Sequence, residues 1–74
     1  MKEYTATVIF YTKDGETAEC EMGKVFRSVN EAHHNALQWA RVVNDSDFWL
    51  DGIRSITIWQ EARGTRDAVS FVMM

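Results

Sequence analysis

Proline is absent from the 74 residues, and cysteine occurs once, at Cys20. A lone thiol closes no disulfide within the chain, a usage expected of a reducing cytoplasm rather than of a secreted, disulfide-stapled domain. Glycine occurs only four times and without a period, which excludes collagen-like and low-complexity classes. No apolar run approaches the roughly 18–20 residues needed to span a bilayer. The opening residues pass straight into alternating sequence with no apolar signal-peptide core. Cations are also scarce: eight Lys and Arg stand against eleven Asp and Glu, a net charge of −3. A protein that binds nucleic-acid backbone generally needs a cationic surplus to displace counterions, so this balance argues against that class.

What is present is ordinary for a folded domain. Apolar types make up 46% and charged types 26% of the chain, with enough Val, Ile, Phe and Trp to argue against disorder. Residues 1–74 are read as one small α+β domain. At this size only about 60% of the unfolded surface is buried on folding, so self-association is a natural source of further buried area.

Residues 3–12 alternate, with Tyr4, Ala6, Val8 and Phe10 on one side and Thr5, Thr7, Ile9 and Tyr11 on the other. Period two with β-branched and aromatic content predicts a strand. Asp14-Gly15 signals a hairpin into a second strand over about 16–26, with Ala18, Cys20 and Met22 inward and Thr17, Glu19 and Glu21 outward. Gly23 marks a bulge or the end of regular pairing, after which Val25 and Phe26 re-enter the core. Ser28-Val29-Asn30-Glu31 fits a capping box. The helix it opens should run to about Val43, with Val29, Ala32, Ala36, Trp39, Ala40 and Val43 as its apolar stripe. Asn44 to Asp47 end that helix, and Phe48-Trp49-Leu50 is read as a plug over one end of the core. Asp51-Gly52 is expected to turn the chain into a third strand over 53–62. There Ile56 and Ile58 oppose Ser55, Thr57 and Trp59. Arg63-Gly64-Thr65 leads to a last strand over 66–73, with Ala68 and Val72 on one side and Val69, Phe71 and Met73 on the other.

The element order is thus ββαββ. Short connections and a right-handed crossover favour an antiparallel sheet ordered 2-1-3-4 with one helix packed on one face. The alternative leaves the last strand out of the sheet, as a tail docking on another subunit.

Candidate chemistry is thin. His33 and His34 are adjacent, and adjacent helical residues diverge by about 100°, so they cannot share a metal; a shared site needs a spacing of three or four. No metal or cofactor is expected. Cys20 near His33 would be a nucleophile pair, but an inward Cys between Ala18 and Met22 reads as a small core residue. No phosphate loop, dinucleotide fingerprint or nucleophile elbow is present, and an enzyme is the least favoured class.

The informative feature is the side of the sheet away from the helix. In a one-helix sheet that side normally meets water and is polar. Here it mixes Thr with Ile, Tyr, Trp and Phe, and an apolar patch of that kind marks a contact surface. Ile9, Tyr11, Trp59 and Phe71 are the candidate partner-binding residues, with Glu19 and Glu21 along the exposed edge. The expectation is a non-enzymatic module acting by protein–protein contact as a homodimer, and a basic protein is the other partner that the clustered acids would suit. In size, acidity and lack of catalytic motifs the chain is similar to small accessory proteins of phages and mobile elements. The alternative is single-stranded nucleic-acid binding, with Tyr11, Trp59 and Phe71 as stacking platforms flanked by Lys13, Arg54 and Arg66. A purely structural reading also stands, in which the 44–52 loop folds under the sheet or the strand phase slips by one residue.

Overall fold

The computed structural model describes residues 2–74. Five elements follow one another: β1 (Glu3–Thr12), β2 (Thr17–Phe26), α1 (Val29–Ser46), β3 (Leu50–Ala62) and β4 (Thr65–Met73). The strands form one antiparallel sheet in the order β2-β1-β3-β4, and α1 packs on one face, as the alternation and crossover arguments require. The last strand belongs to the sheet and is not a detached tail. Among the described residues, no helix is long and apolar enough to cross a membrane.

Strand phase follows the predicted alternation. Tyr4, Ala6, Val8 and Phe10 of β1 and Ile56 and Ile58 of β3 are buried on the helix side. Ala32, Ala36 and Ala40 meet them from α1 and are completely buried. Three alanines on the contact stripe let the helix backbone approach the sheet closely, while Trp39 reaches over to Phe10 with ring centroids 6.4 Å apart and planes tilted by 60°. Ser28 caps α1 in extended conformation, its Oγ accepting the Glu31 backbone N–H at 3.1 Å.

Several local expectations need correction. α1 runs three residues past Val43, because Asn44 stays helical and its Oδ1 accepts the Gly52 N–H at 2.9 Å. Asp51-Gly52 is not a turn before β3 but lies inside it. Gly52, at φ +115, lets β3 take extra residues where the β1 register slips near Phe10, and that backbone conformation is open chiefly to glycine. Phe48-Trp49-Leu50 is no plug: only Leu50 is buried, Trp49 is half exposed and Phe48 is 85% exposed. Val25 also fails to re-enter the core. The chain takes two extra residues between Met22 and Phe26 against β1, and Val25 is left facing solvent while Phe26 is buried. A further bulge in β4 pairs Ala68 with Trp59, so Ala68 shares the face of Trp59 rather than that of Val72.

The two hairpins are built differently. At the first, Thr12 Oγ1 bonds Asp14 Oδ1, and the Glu16 N–H donates to both Thr12 Oγ1 (3.1 Å) and Asp14 Oδ1 (3.2 Å). The Thr12 hydroxyl, with the Glu16 amide, holds the Asp14 carboxyl below its usual range. At the second, Arg63 and Gly64 form a two-residue loop with φ of +34 and +81. Positive φ at both central positions is the type I′ geometry that suits strand twist, and it strongly favours Asn-Gly. Arginine there carries a Cβ penalty of roughly 1 kcal/mol that Asn largely avoids. Arg63→Asn should therefore raise stability by about 0.5–1 kcal/mol, read as a higher urea midpoint at unchanged slope; an equal or lower midpoint would refute the assignment.

Candidate interaction surface

The face of the sheet opposite α1 has no element packed on it among the described residues. Register fixes its occupants. Thr5, Thr7 and Ile9 of β1 stand opposite Trp59, Thr57 and Ser55 of β3. On the outer side, Thr57 faces Phe71 and Ser55 faces Met73 of β4. Across the other flank of β1, Thr7, Ile9 and Tyr11 stand opposite Glu21, Glu19 and Thr17 of β2. Of the six residues singled out from the sequence, all lie on this one face. Strand phase was therefore not displaced by one, and the 44–52 connection does not fill the space.

The face divides into two halves. Toward the Tyr11 end it is apolar. The short side chains of Thr7, Ser55 and Thr57 are buried as a floor between taller neighbours. Tyr11, Phe71 and Met73 rise around that floor, at 43%, 59% and 55% exposure. Ile9 is half-buried among them, and Glu19 borders the patch on the β2 side.

Toward the Trp59 end the face is crossed by a polar clamp that the sequence did not suggest. Arg66 reaches from β4 over the Trp59 ring, its guanidinium carbon 4.5 Å from the ring centroid. It forms ion pairs with Glu61 of β3 (2.8 Å) and with Glu21 of β2. Glu61 also accepts from Thr5 Oγ1 at 2.7 Å, and Trp59 Nε1 donates to Thr7 Oγ1 at 2.9 Å. One arginine from the outermost strand on one side thus contacts groups from all three other strands. Partial burial disfavours its charge, yet Glu21 and Glu61 outweigh that and raise its pKa further. Beside the clamp lies an open groove of roughly 410 Å³, bounded by Arg66, Glu61, Thr5 and the β2 bulge at Gly23-Lys24-Val25.

Trp59 and Glu21 therefore belong to the clamp, while Ile9, Tyr11, Phe71 and Glu19 belong to the open apolar half. The residue missed was Arg66. In the sequence it reads only as a flanking cation, because its partners lie five and forty-five positions away. The signal that could have found it is the register itself: Glu61 pairs directly with Arg66 once the Arg63-Gly64 turn is placed.

β4 itself is unusual. Both its sides meet solvent: Phe71 and Met73 on the open face, and Val72, 36% exposed, on the helix side. Elsewhere, Cys20 is a free thiol packed against the core opposite Val8, and His33 Nδ1 is buried without a hydrogen-bond partner. No group of three or more His, Cys, Asp and Glu that could hold a metal occurs among the described residues.

Compared with protein-family models, with curated proteins and with solved structures, the chain matches none.

Proposed function

We propose that this protein is a non-enzymatic interaction module that works by protein–protein contact, with a second copy of itself as its first partner. The observation that carries this reading is the conjunction of an uncovered apolar half-face with a strand, β4, whose large apolar side chains meet solvent on both sides. Val69, Phe71, Val72, Met73 and Met74, interrupted only by Ser70, are all at least 36% exposed along one margin of the sheet. In soluble proteins a continuous exposed apolar area of that kind marks a contact site. The small core adds a thermodynamic motive, since association supplies buried area that a domain of this length lacks. Glu19, with the acids of the β1–β2 turn, gives the patch a negative border that would suit a basic partner. In this respect the chain fits the accessory role in a phage or mobile element that its size and acidity bring to mind.

Base stacking is supported less well. Arg66 already occupies the Trp59 ring, and the net charge of −3 opposes a polyanion. Sedimentation equilibrium tests the favoured reading. The wild type should show a dimer mass at micromolar concentration, and Phe71→Ser should shift it toward monomer while leaving the circular dichroism unchanged. A wild type that stays monomeric at high concentration overturns the proposal. Saturable quenching of tryptophan emission by an oligonucleotide at low salt would favour base stacking instead.

A further inference from the structure

The sheet has two free margins, and they are protected to very different degrees. The β2 margin carries Glu19 and Glu21 and ends in the Gly23-Lys24-Val25 bulge. Charge and bulging are the usual means by which edge strands avoid pairing with other chains. β4 uses both in its first half, with Arg66, Asp67 and the bulge opposite Trp59. Beyond that bulge, Ser70-Phe71-Val72-Met73-Met74 has no charged side chain, glycine or proline.

Backbone direction along this segment follows from one bond. The Met74 N–H donates to the Arg54 carbonyl at 2.9 Å, so Met74 points its backbone groups at β3. In an antiparallel ladder, successive residues point alternately toward and away from the partner strand. Val72 and Ser70 therefore also bond β3, while the N–H and C=O of Phe71 and Met73 face outward, unpaired, along the margin.

We infer that this protein dimerises by antiparallel pairing of β4 with β4 of a second copy, about a two-fold axis at Val72, to give a continuous eight-stranded sheet. The inference rests on the proposed self-association and specifies its geometry. Phe71 and Met73 are the outward-facing residues beyond the bulge, so the register that pairs them with each other sets the axis at Val72 and keeps the bulge out of the ladder. Phe71 of each copy then exchanges backbone hydrogen bonds with Met73 of the other, and their side chains lie side by side on the open face as an aromatic–thioether contact. Two Val72 side chains meet on the helix side, where each is 36% exposed in the single copy. With no charged side chain in the segment, self-pairing brings no like-charged side chains face to face. Pairing would cover part of the exposed Phe71, Val72 and Met73 side chains, which are 59%, 36% and 55% exposed. Because the axis is perpendicular to the sheet, both open faces end on the same side, and Tyr11 and Ile9 of each copy remain available for a further partner.

Two variants test the geometry. Met73→Pro removes an N–H that, in the monomer, faces only solvent, and a proline is tolerated there on an edge strand. It should leave the fold intact by circular dichroism and raise the dimer dissociation constant by about tenfold or more. Val72→Cys in a Cys20→Ala background places two thiols across a non-hydrogen-bonded pair, with Cα atoms about 4.5 Å apart and within disulfide range. It should oxidise to a covalent dimer. If the wild type is a dimer but Met73→Pro does not weaken it and Val72→Cys does not cross-link, edge pairing is wrong while self-association stands. A monomeric wild type overturns both.

Discussion

Phe10→Ala is expected to leave the chain largely unfolded at 25 °C. Phe10 is the largest completely buried side chain, at the centre of the helix-side core, and Trp39 rests against its ring. Its strand neighbours are Ala18 on one side and Ile53 on the other. Ala18 is too small to fill the space that the ring leaves, so removing the ring opens a cavity in the core. Truncations of this kind cost about 3–5 kcal/mol. A core this small supplies only about 3–5 kcal/mol of net stability to begin with. Urea titration monitored by circular dichroism should find little or no folded baseline in the variant. A cooperative transition within about 1 kcal/mol of wild type would mean that the core is organised around some other residue.

The second large effect has the opposite cause. Ala36→Leu adds volume where none exists, at the middle of the alanine stripe that holds α1 close to β1 and β3. Overpacking typically costs about 1–3 kcal/mol. Here no flexible neighbour can yield, because Val8, Ile56 and Ile58 are all fully buried, and all three are β-branched residues on the two central strands. The helix should lift away from the sheet, giving a variant that keeps its helical signal but melts at lower urea and binds a dye specific for exposed apolar surface. Ala36→Ser, nearly isosteric, should lose far less. If Leu and Ser cost the same, close approach is not what the alanines provide.

Much of this architecture was legible in the sequence because the two periods are cleanly written. Alternation in β1 and the middle of β3 places Val8, Phe10, Ile56 and Ile58 inward, and the Ser28 cap with the alanine stripe fixes the start and contact face of α1. The failures cluster where the backbone departs from regular geometry. A glycine at +115 looks, in sequence, like the turn that Asp-Gly usually makes, and only the register against β1 shows Gly52 to be a kink inside a strand. Each bulge resets the alternation beyond it, which is why Val25 and Ala68 were assigned to the wrong surroundings. Phe48 and Trp49 were expected inside on hydrophobicity alone. The Asp47 carboxylate accepts the Trp49 N–H at 2.9 Å, and the Trp49 carbonyl accepts from Lys13 N–H at 3.0 Å, so backbone bonding holds these side chains in a turn at the surface. At the contact surface, the face was legible but its division was not. Alternation could collect Ile9, Tyr11, Trp59 and Phe71 on one side, whereas the reach of Arg66 over Trp59 to Glu21 depends on the fold's having brought β4 and β2 into range.

The middle pairing of the sheet has a bearing on how the chain assembles. β1 and β2 close over one short turn and β3 and β4 over another, so each hairpin costs little loop entropy. Their union sets Glu3 opposite Glu61 and Val8 opposite Ile56, contacts between distant parts of the chain whose closure must be met before any reward arrives. The buried residues are split along the same seam: Val8 and Phe10 come with the first hairpin, Ile56 and Ile58 with the second, and the alanines of α1 cover both. Neither half owns a core, so the chain has no stable stopping point short of the native state.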